Sequence, residues 1–341
     1  MIPTFRRPDL LKQAVESALA QTTSVSYEVV IVDNDNDNDG YLLREVDKVV
    51  ASFSAPNLRH FRNQTNIGLY GNWNRCIELA RGRWLTILND DDLLDPSFLE
   101  ESLKVITCNP SIKWVGCSAR VCDIQGITIP ETLVTKCKKF FKGLANFVRR
   151  GRPHKIRFAE LFPSYPHHGS LGILFDRNAA MVVGGYPLEF YPVADYVFGA
   201  RFALLSDLRY LPKVLATYRI AVNVSTKPDV CVLGLQLELK LRESMVPLIP
   251  FNAFILRYYS KLIAIRTASV FKSRWYSALN VDDILAKEGL TNRPVLAIYL
   301  TVGALVRFGI LHIFSGLPAC RTSKSMIADI KDSYQRPDRN F

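Results

Sequence analysis

The sequence predicts an α/β fold in which a mostly parallel sheet, flanked by helices, is followed by a helical C-terminal extension. Three observations carry that expectation. Strand and helix patterns alternate through the first two hundred residues, the apolar run 84–88 (WLTIL) is followed almost at once by three carboxylates, and the last third loses the alternation. Parallel strands are covered on both faces and so read as continuous apolar runs. Strands alternating with helices return to one sheet through crossovers.

Taken in order, residues 9–20 (DLLKQAVESALA) have helical periodicity, 27–32 (YEVVIV) read as a strand and 33–40 (DNDNDNDG) as a polar loop. A second helical pattern runs to about Phe53, residues 58–63 form a strand, and 72–81 are again helical before the strand at 84–88. Pro96 and Ser97 mark the start of the next helix. Later come a strand at 171–175 and a turn at Gly184 and Gly185, and Asp195 has the competing, compatible reading of a helix N-cap. Residues 232–246 have helical spacing, Pro247 and Pro250 break it, and 251–276 form a long segment. A second apolar segment covers 294–314, and 324–341 is a polar tail. The division expected is a domain at 1–225, its donor and metal side in 1–96 and its acceptor side in 97–225, followed by a helical, membrane-associated extension at 226–341.

Asp90, Asp91 and Asp92 stand where open sheets bind ligands, beyond the carboxyl end of a strand. Two carboxylates about 4 Å apart repel by roughly 4 kcal/mol at an effective dielectric of ~20. Such a cluster calls for a hard divalent ion or basic side chains, and a metal with a diphosphate is the natural guest. The competing reading is a solvated turn capping the helix that follows.

The 341 residues suffice for one large domain or two smaller ones. Seven scattered cysteines show no metal-ligand spacing and suit a reducing cytoplasm. No basic-then-apolar leader opens the chain, so a cleaved signal peptide is not expected. Met1 and Ile2 leave almost no strand before Pro3, and the expectation is a first strand that begins earlier. Against 43 Lys and Arg stand 32 Asp and Glu, a net +11, of which residues 226–341 carry +7. Between Glu131 and Glu160 run Lys136, Lys138, Lys139, Lys142, Arg149, Arg150, Arg152, Lys155 and Arg157 with no acid. No nucleic-acid motif accompanies this stretch, so an anionic membrane face or a lipid diphosphate is the expected partner rather than nucleic acid.

Five blocks together resemble the inverting family-2 glycosyltransferases of GT-A fold. They are Ile2-Pro3-Thr4-Phe5-Arg6-Arg7; Val29-Val30-Ile31-Val32-Asp33-Asn34; Asn66-Ile67-Gly68 with Asn74, Ala80 and Gly82; Leu88-Asn89-Asp90-Asp91-Asp92 with Pro96; and Gly184-Gly185-Tyr186 followed by Asp195 and Tyr218-Arg219. The resemblance covers about residues 1–225. It implies transfer of a sugar from a nucleoside diphosphate sugar to a saccharide hydroxyl, in bacterial-type surface polysaccharide (O-antigen or capsule) assembly. The acceptor expected is lipid-linked, and the location is the inner face of the plasma membrane.

Residue by residue, Pro3, Thr4 and Phe5 resemble the turn beside the donor base, and Asp33 the base-binding acid, with Asn34 where a second acid often stands. A carboxylate accepts the imide N–H of uracil or thymine, which cytosine lacks, so a UDP or dTDP sugar is implied. Asn66, Gly68, Asn74 and Asp90 fall on the donor side. Asp91 matches the metal-holding acid for Mn²⁺ or Mg²⁺, with Asp92 as the second metal ligand, while Asn89 stands where the motif's first acid is usual. Asp195 matches the general base, with Ala194 where many members carry a second acid. Arg219 matches a position that can face the phosphates, and its competing reading is a surface salt bridge. His167, His168 and Gly185 are acceptor-side candidates, the histidines having the alternative of ordinary loop residues.

In the extension, Arg257, Lys261, Arg266, Lys272 and Arg274 share the segment 251–276 with Tyr258, Tyr259, Trp275 and Tyr276. Basic residues with interfacial aromatics suit a helix lying on a bilayer. Arg307 and His312 interrupt 294–314, which favours docking over spanning. Two other readings remain. A sugar nucleotidyltransferase would want a glycine-rich phosphate loop, which Thr4-Phe5-Arg6-Arg7-Pro8 lacks. A noncatalytic membrane-bound saccharide-binding or scaffold protein would bind nucleotide without turnover.

Overall fold

The computed structural model describes residues 1–36, 41–127, 151–167, 169–220 and 227–274. Most of the basic run, His168 and the whole of 294–314 therefore lie outside the described residues. Two compact units are formed, each discontinuous in sequence. The first takes Met1–Ile156, Pro166–Leu188 and Leu205–Ala221, and the second Arg157–Tyr165, Glu189–Leu204 and Val222–Phe341.

The first unit begins with β1 (Ile2–Thr4), α1 (Pro8–Leu19), β2 (Val29–Asp33), α2 (Tyr41–Ala51), β3 (Leu58–Arg62) and α3 (Leu69–Leu79). The order is that of the sequence patterns, with α3 starting three residues early. Pro8, whose fixed φ and missing N–H suit a first helical turn, opens α1. Leu11, Ala14, Val15 and Ala18, spaced for one helical face, bury it against Ile2, Val29 and Ile31. Each fully buried Leu or Val contributes about 1.5–3 kcal/mol. Strands β1, β2 and β3 are parallel, and Thr4 lies opposite Asp33. Their carboxyl ends therefore share one edge.

The second sheet contains β4 (Trp84–Leu85), β5 (Leu93–Leu94), β6 (Trp114–Asp123), β7 (His154–Ile156), β8 (Ile173–Asp176) and β9 (Leu208–Ile220). Its order is β4-β8-β6-β9-β5, with β7 also on β9. The strand expected at 84–88 pairs with β8 only at its first two residues. Beyond them it turns to β1, where the Met1 ammonium donates to the Thr86 carbonyl (3.0 Å) and the Leu88 N–H to the Met1 carbonyl (2.9 Å). The parallel first sheet is thus continued by the run that ends in the three aspartates. In the second sheet only β6 and β9 are parallel, while β8, β5 and β7 join as antiparallel strands. The turn at 89–92 reverses the chain, so β5 lies antiparallel on β9 with Leu93 opposite Thr217. Among the described residues this unit also contains the helices α4 (Phe98–Thr107) and α6 (Arg177–Val182).

The second unit is helical: α5 (Phe158–Leu161), α7 (Ala194–Leu205), α8 (Pro228–Met245) and α9 (Ala253–Arg274). Its interior is built on aromatic contacts and holds the buried Arg242. Phe162 stacks on Tyr259, Tyr165 on Tyr196, and Tyr196 donates its hydroxyl to the Leu161 carbonyl. The Arg242 guanidinium donates to the Phe162 carbonyl at 3.1 Å and pairs with Glu238. Among the described residues no helix is long and apolar enough to cross a membrane.

Candidate active site

The carboxyl ends of β1, β2 and the run to Leu88 bring Thr4, Asp33 and Asp90–Asp92 to one edge of the first unit. The three aspartates have three different jobs there. Asp90 accepts the Thr4 hydroxyl at 2.8 Å and the Phe5 N–H at 3.3 Å. Burial, and then the Asp91 charge, push its carboxyl up to about 6. Asp91 is met by the Arg7 guanidinium at 2.7 Å, which also lies 3.6 Å from Asp90. Asp92 is fully buried beneath the turn, where it accepts the Arg219 N–H at 3.0 Å and the Asn89 side-chain amide at 3.1 Å. Its carboxyl is also raised, first by burial and then by Asp91.

Arg219 is the buttress of this turn. The β5–β9 pairing brings it under the aspartates, and it is only 2% exposed. Its Nε donates to the Asp91 carbonyl and its Nη1 to Gln13 at 2.6 Å, while Nη2 finds no hydrogen-bond partner among the described residues. The surface salt bridge weighed for it is therefore excluded. Its guanidinium holds the backbone that presents Asp91.

Asp33, at the end of β2, is also fully buried. One oxygen takes the Arg62 Nε at 3.1 Å and the other the Asp35 N–H at 3.0 Å, and burial, the largest cause, raises its pKa against those donors. Arg6 is in the left-handed region (φ 57°) and forks onto Asp35 at 3.0 and 3.3 Å. The turn Pro3-Thr4-Phe5 is buried as far as Thr4 and exposes Phe5, whose ring lies 5.1 Å from the Arg6 guanidinium. Asn34 is a bracket. It donates to Asn66 (2.9 Å) and the Gly68 carbonyl (3.3 Å), and accepts from Asn63 (3.0 Å) and the Ile67 N–H (3.0 Å). Gly68, at φ 76°, then begins α3.

The remaining sequence candidates are placed as follows. Asn74 donates to the Tyr186 carbonyl and accepts the Tyr186 N–H, both at 2.8 Å. Gly185, at φ 64°, lies against that amide, where an added Cβ would come within 2.5 Å of the Asn74 oxygen. His167 is buried among Trp114, Tyr210 and Gly116. His168 lies outside the described residues. Asp195 belongs to the second unit and sits inside the first turn of α7, which starts at Ala194, so the N-cap weighed as its competing reading is not the position it takes. Sequence reasoning left Arg7 and Arg62 without roles. The signal for Arg7 was a basic residue just past β1, one place before Pro8, on the edge that also receives the aspartates.

Among the described residues no three His, Cys, Asp or Glu side chains converge as a metal cage. The donor set nevertheless suits a hard ion that shares its shell with phosphates, because Mg²⁺ and similar ions are commonly held by one or two carboxylates plus substrate oxygens. Asp91 fits that role, since its sole hydrogen-bond donor among the described residues is the partly exposed Arg7.

Comparison with known proteins bears on the fold and the family. The structure superposes on a S. aureus TarS fragment in complex with UDP-GlcNAc with a TM-score of 0.56 at 14% identity, covering 98% of this chain and 90% of that one. A mannosyltransferase from Pyrobaculum calidifontis, in complex with GDP-Man and Mn²⁺, gives 0.54 at 15% identity, covering 99% and 86%. The fold is therefore that of the GT-A glycosyltransferases. The profile of glycosyl transferase family 2 matches residues 1–182, and the chain belongs to that family. A succinoglycan biosynthesis protein of Rhizobium meliloti, ExoO, is 34% identical over 104 residues, 30% of this chain and 28% of the relative. The chain spans between 47% and 67% of the length of the first curated relatives it matches.

Proposed function

We propose that this family-2 transferase moves a sugar, with inversion, from a nucleoside diphosphate sugar to a hydroxyl of a lipid-linked saccharide during surface polysaccharide assembly. The observation that carries the reading is the shared edge at which Thr4, Arg7, Asp33 and Asp91 meet. In this reading Asp33 and the Pro3-Thr4-Phe5 turn receive a uracil or thymine base. Asp91 would hold Mn²⁺ or Mg²⁺ beside the donor diphosphate, and such an ion would supply positive charge to balance that of the leaving nucleoside diphosphate. Asp90, tied to Thr4, and Asp92, tied to Arg219, keep the Asp91 turn rigid. Asp195 takes the proton from the acceptor hydroxyl as its oxygen forms the new bond to the anomeric carbon and the diphosphate leaves from the opposite face.

A panel of nucleotide sugars assayed for hydrolysis with and without Mn²⁺ tests this reading. Release of nucleoside diphosphate from one sugar, dependent on metal and lost in Asp91→Ala, is expected. Nucleotide binding with no turnover for any sugar or acceptor would favour the noncatalytic saccharide-binding reading instead.

The membrane location rests on α9. That helix carries five basic residues and no acid, and its first two turns expose Phe254 (78%), Ile255 and Tyr258 beside Arg257 and Lys261. Tyr259, one of the aromatics expected at the interface, is instead buried on Phe162. The bilayer contact is therefore assigned to the start of α9 on the cytoplasmic face, with anionic lipid as its partner. Salt-sensitive flotation of the full chain with anionic vesicles, reduced in Phe254→Ser with Lys261→Glu, is expected. Equal recovery in the soluble fraction at low and high salt would remove it.

A further inference from the structure

We propose that Arg7 is an exchangeable counterion. It neutralises Asp91 in the nucleotide-free enzyme and moves to the donor diphosphate when a divalent cation takes that carboxylate, so that metal binding depends on the nucleotide. The inference rests on the donor-site reading above and adds a binding order to it.

Arg7 and Arg219 both serve the aspartate turn, but their surroundings differ. Arg219 is buried and fixed to a backbone carbonyl and to Gln13. The Arg7 side chain is 31% exposed, and its Nη1 lies 2.7 Å from Asp91, the carboxylate with no other donor among the described residues. Asp90 and Asp92 each keep two other donors when Arg7 leaves. Asp91 alone would be bare, and a divalent ion is what can replace a guanidinium there. The two cations repel, so the ion cannot add until Arg7 moves. A diphosphate is the partner that draws Arg7 away, because its oxygens accept the planar guanidinium fork as well as a carboxylate does. Nucleotide and metal then each lower the barrier to binding the other, and by linkage the coupling is reciprocal. No bond is made or broken in this exchange. One positive group is traded for another at Asp91.

Calorimetry on the full chain with Mn²⁺ alone, with UDP alone and with both tests the exchange, with GDP run beside UDP so that base preference does not decide the result. Wild type is expected to bind Mn²⁺ weakly without nucleotide and far more tightly with it. Arg7→Gln should tighten Mn²⁺ alone by about tenfold and weaken nucleotide in the presence of Mn²⁺ by about tenfold, with Arg7→Lys between. Asp91→Asn approaches from the other side: it frees Arg7, so metal-free nucleotide affinity should rise by roughly threefold or more. If wild type binds nucleotide with metal while Arg7→Gln leaves the affinity for Mn²⁺ alone unchanged, the exchange is overturned and the donor site stands. If Arg7→Gln does not fold, an unchanged or lower metal-free affinity in Asp91→Asn overturns it equally. If neither nucleotide binds wild type at any metal concentration, the donor-site reading falls and takes this inference with it.

Discussion

Each unit contains a buried arginine set on a backbone carbonyl, and the two differ in what that carbonyl belongs to. Arg219 reaches the Asp91 carbonyl beneath the aspartate turn, while Arg242 reaches the Phe162 carbonyl among the helices. Both leave one guanidinium nitrogen without a hydrogen-bond partner among the described residues. One device therefore serves two ends: in the sheet unit it fixes the turn that presents Asp91, the proposed metal-holding carboxylate, and in the helical unit it ties α8 to the segment after α5. A buried cation is costly wherever it stands. What it rigidifies decides its function.

Substitution separates the two. Arg219→Ala and Arg242→Ala should each lose about 3 kcal/mol or more of unfolding free energy, because each strands buried acceptors, and Arg242 also strands the Glu238 carboxylate. Only Arg219→Ala should weaken nucleotide binding under conditions where both variants remain folded. Equal loss of nucleotide affinity in the two would erase the distinction, and chemical denaturation paired with calorimetry reads it.

Asp195 sharpens the comparison from the helical unit. In the proposed base role it would act only when the acceptor attacks, so Asp195→Asn should lower transfer by roughly 10²-fold while donor affinity stays near wild type. Near-normal transfer at saturating donor by a folded variant would exclude the role.

A smaller effect is expected at Gly185. Its positive φ, and the Asn74 oxygen that would stand 2.5 Å from an added Cβ, together make Gly185→Ala cost about 1–2 kcal/mol. Asn74→Ala in the same background should recover part of the steric share, and a thermal scan of the double variant checks that.

The smallest effect concerns pH. Asp176 caps α6 through the Ala179 N–H, and although burial alone would raise its pKa, that bond with Lys113 and Arg83 holds it below the ordinary 3.8. A depressed carboxylate stabilises the fold above its unfolded value, and the contribution is lost as pH falls through the folded value. Asp176→Asn should therefore cost roughly 0.5–1 kcal/mol at neutral pH, and the gap to wild type should close below pH 3.8. A gap independent of pH from 7 to 2 would contradict the charge-based account.

The sequence made the first sheet legible because β2 is a continuous apolar run, because amphipathic helices separate the strands, and because the aspartates closely follow the run 84–88. The second sheet was harder to read. Only Trp84 and Leu85 of the run 84–88 pair with β8, and β5 is two residues long, so neither its antiparallel strands nor its order follow from periodicity. Site roles were legible as positions and not as contacts. Asn34 and Asn74 were expected on the donor side, and their amides bracket backbone at Gly68 and Tyr186, which only tertiary pairing reveals. Sequence reasoning gave the residues beyond Arg157, the end of the basic run, no role, while the structure uses Phe162 and Tyr165 as core of the helical unit. That role comes from α7 and α9, far away in sequence.

Calorimetric titration of UDP and GDP into wild type and Asp91→Ala, each with and without Mn²⁺, is the most direct test of the claim that the donor and its metal meet at the aspartate turn. The account predicts that Mn²⁺ strengthens nucleotide binding to wild type and that this strengthening disappears in Asp91→Ala. The same metal-dependent gain in both proteins would contradict it.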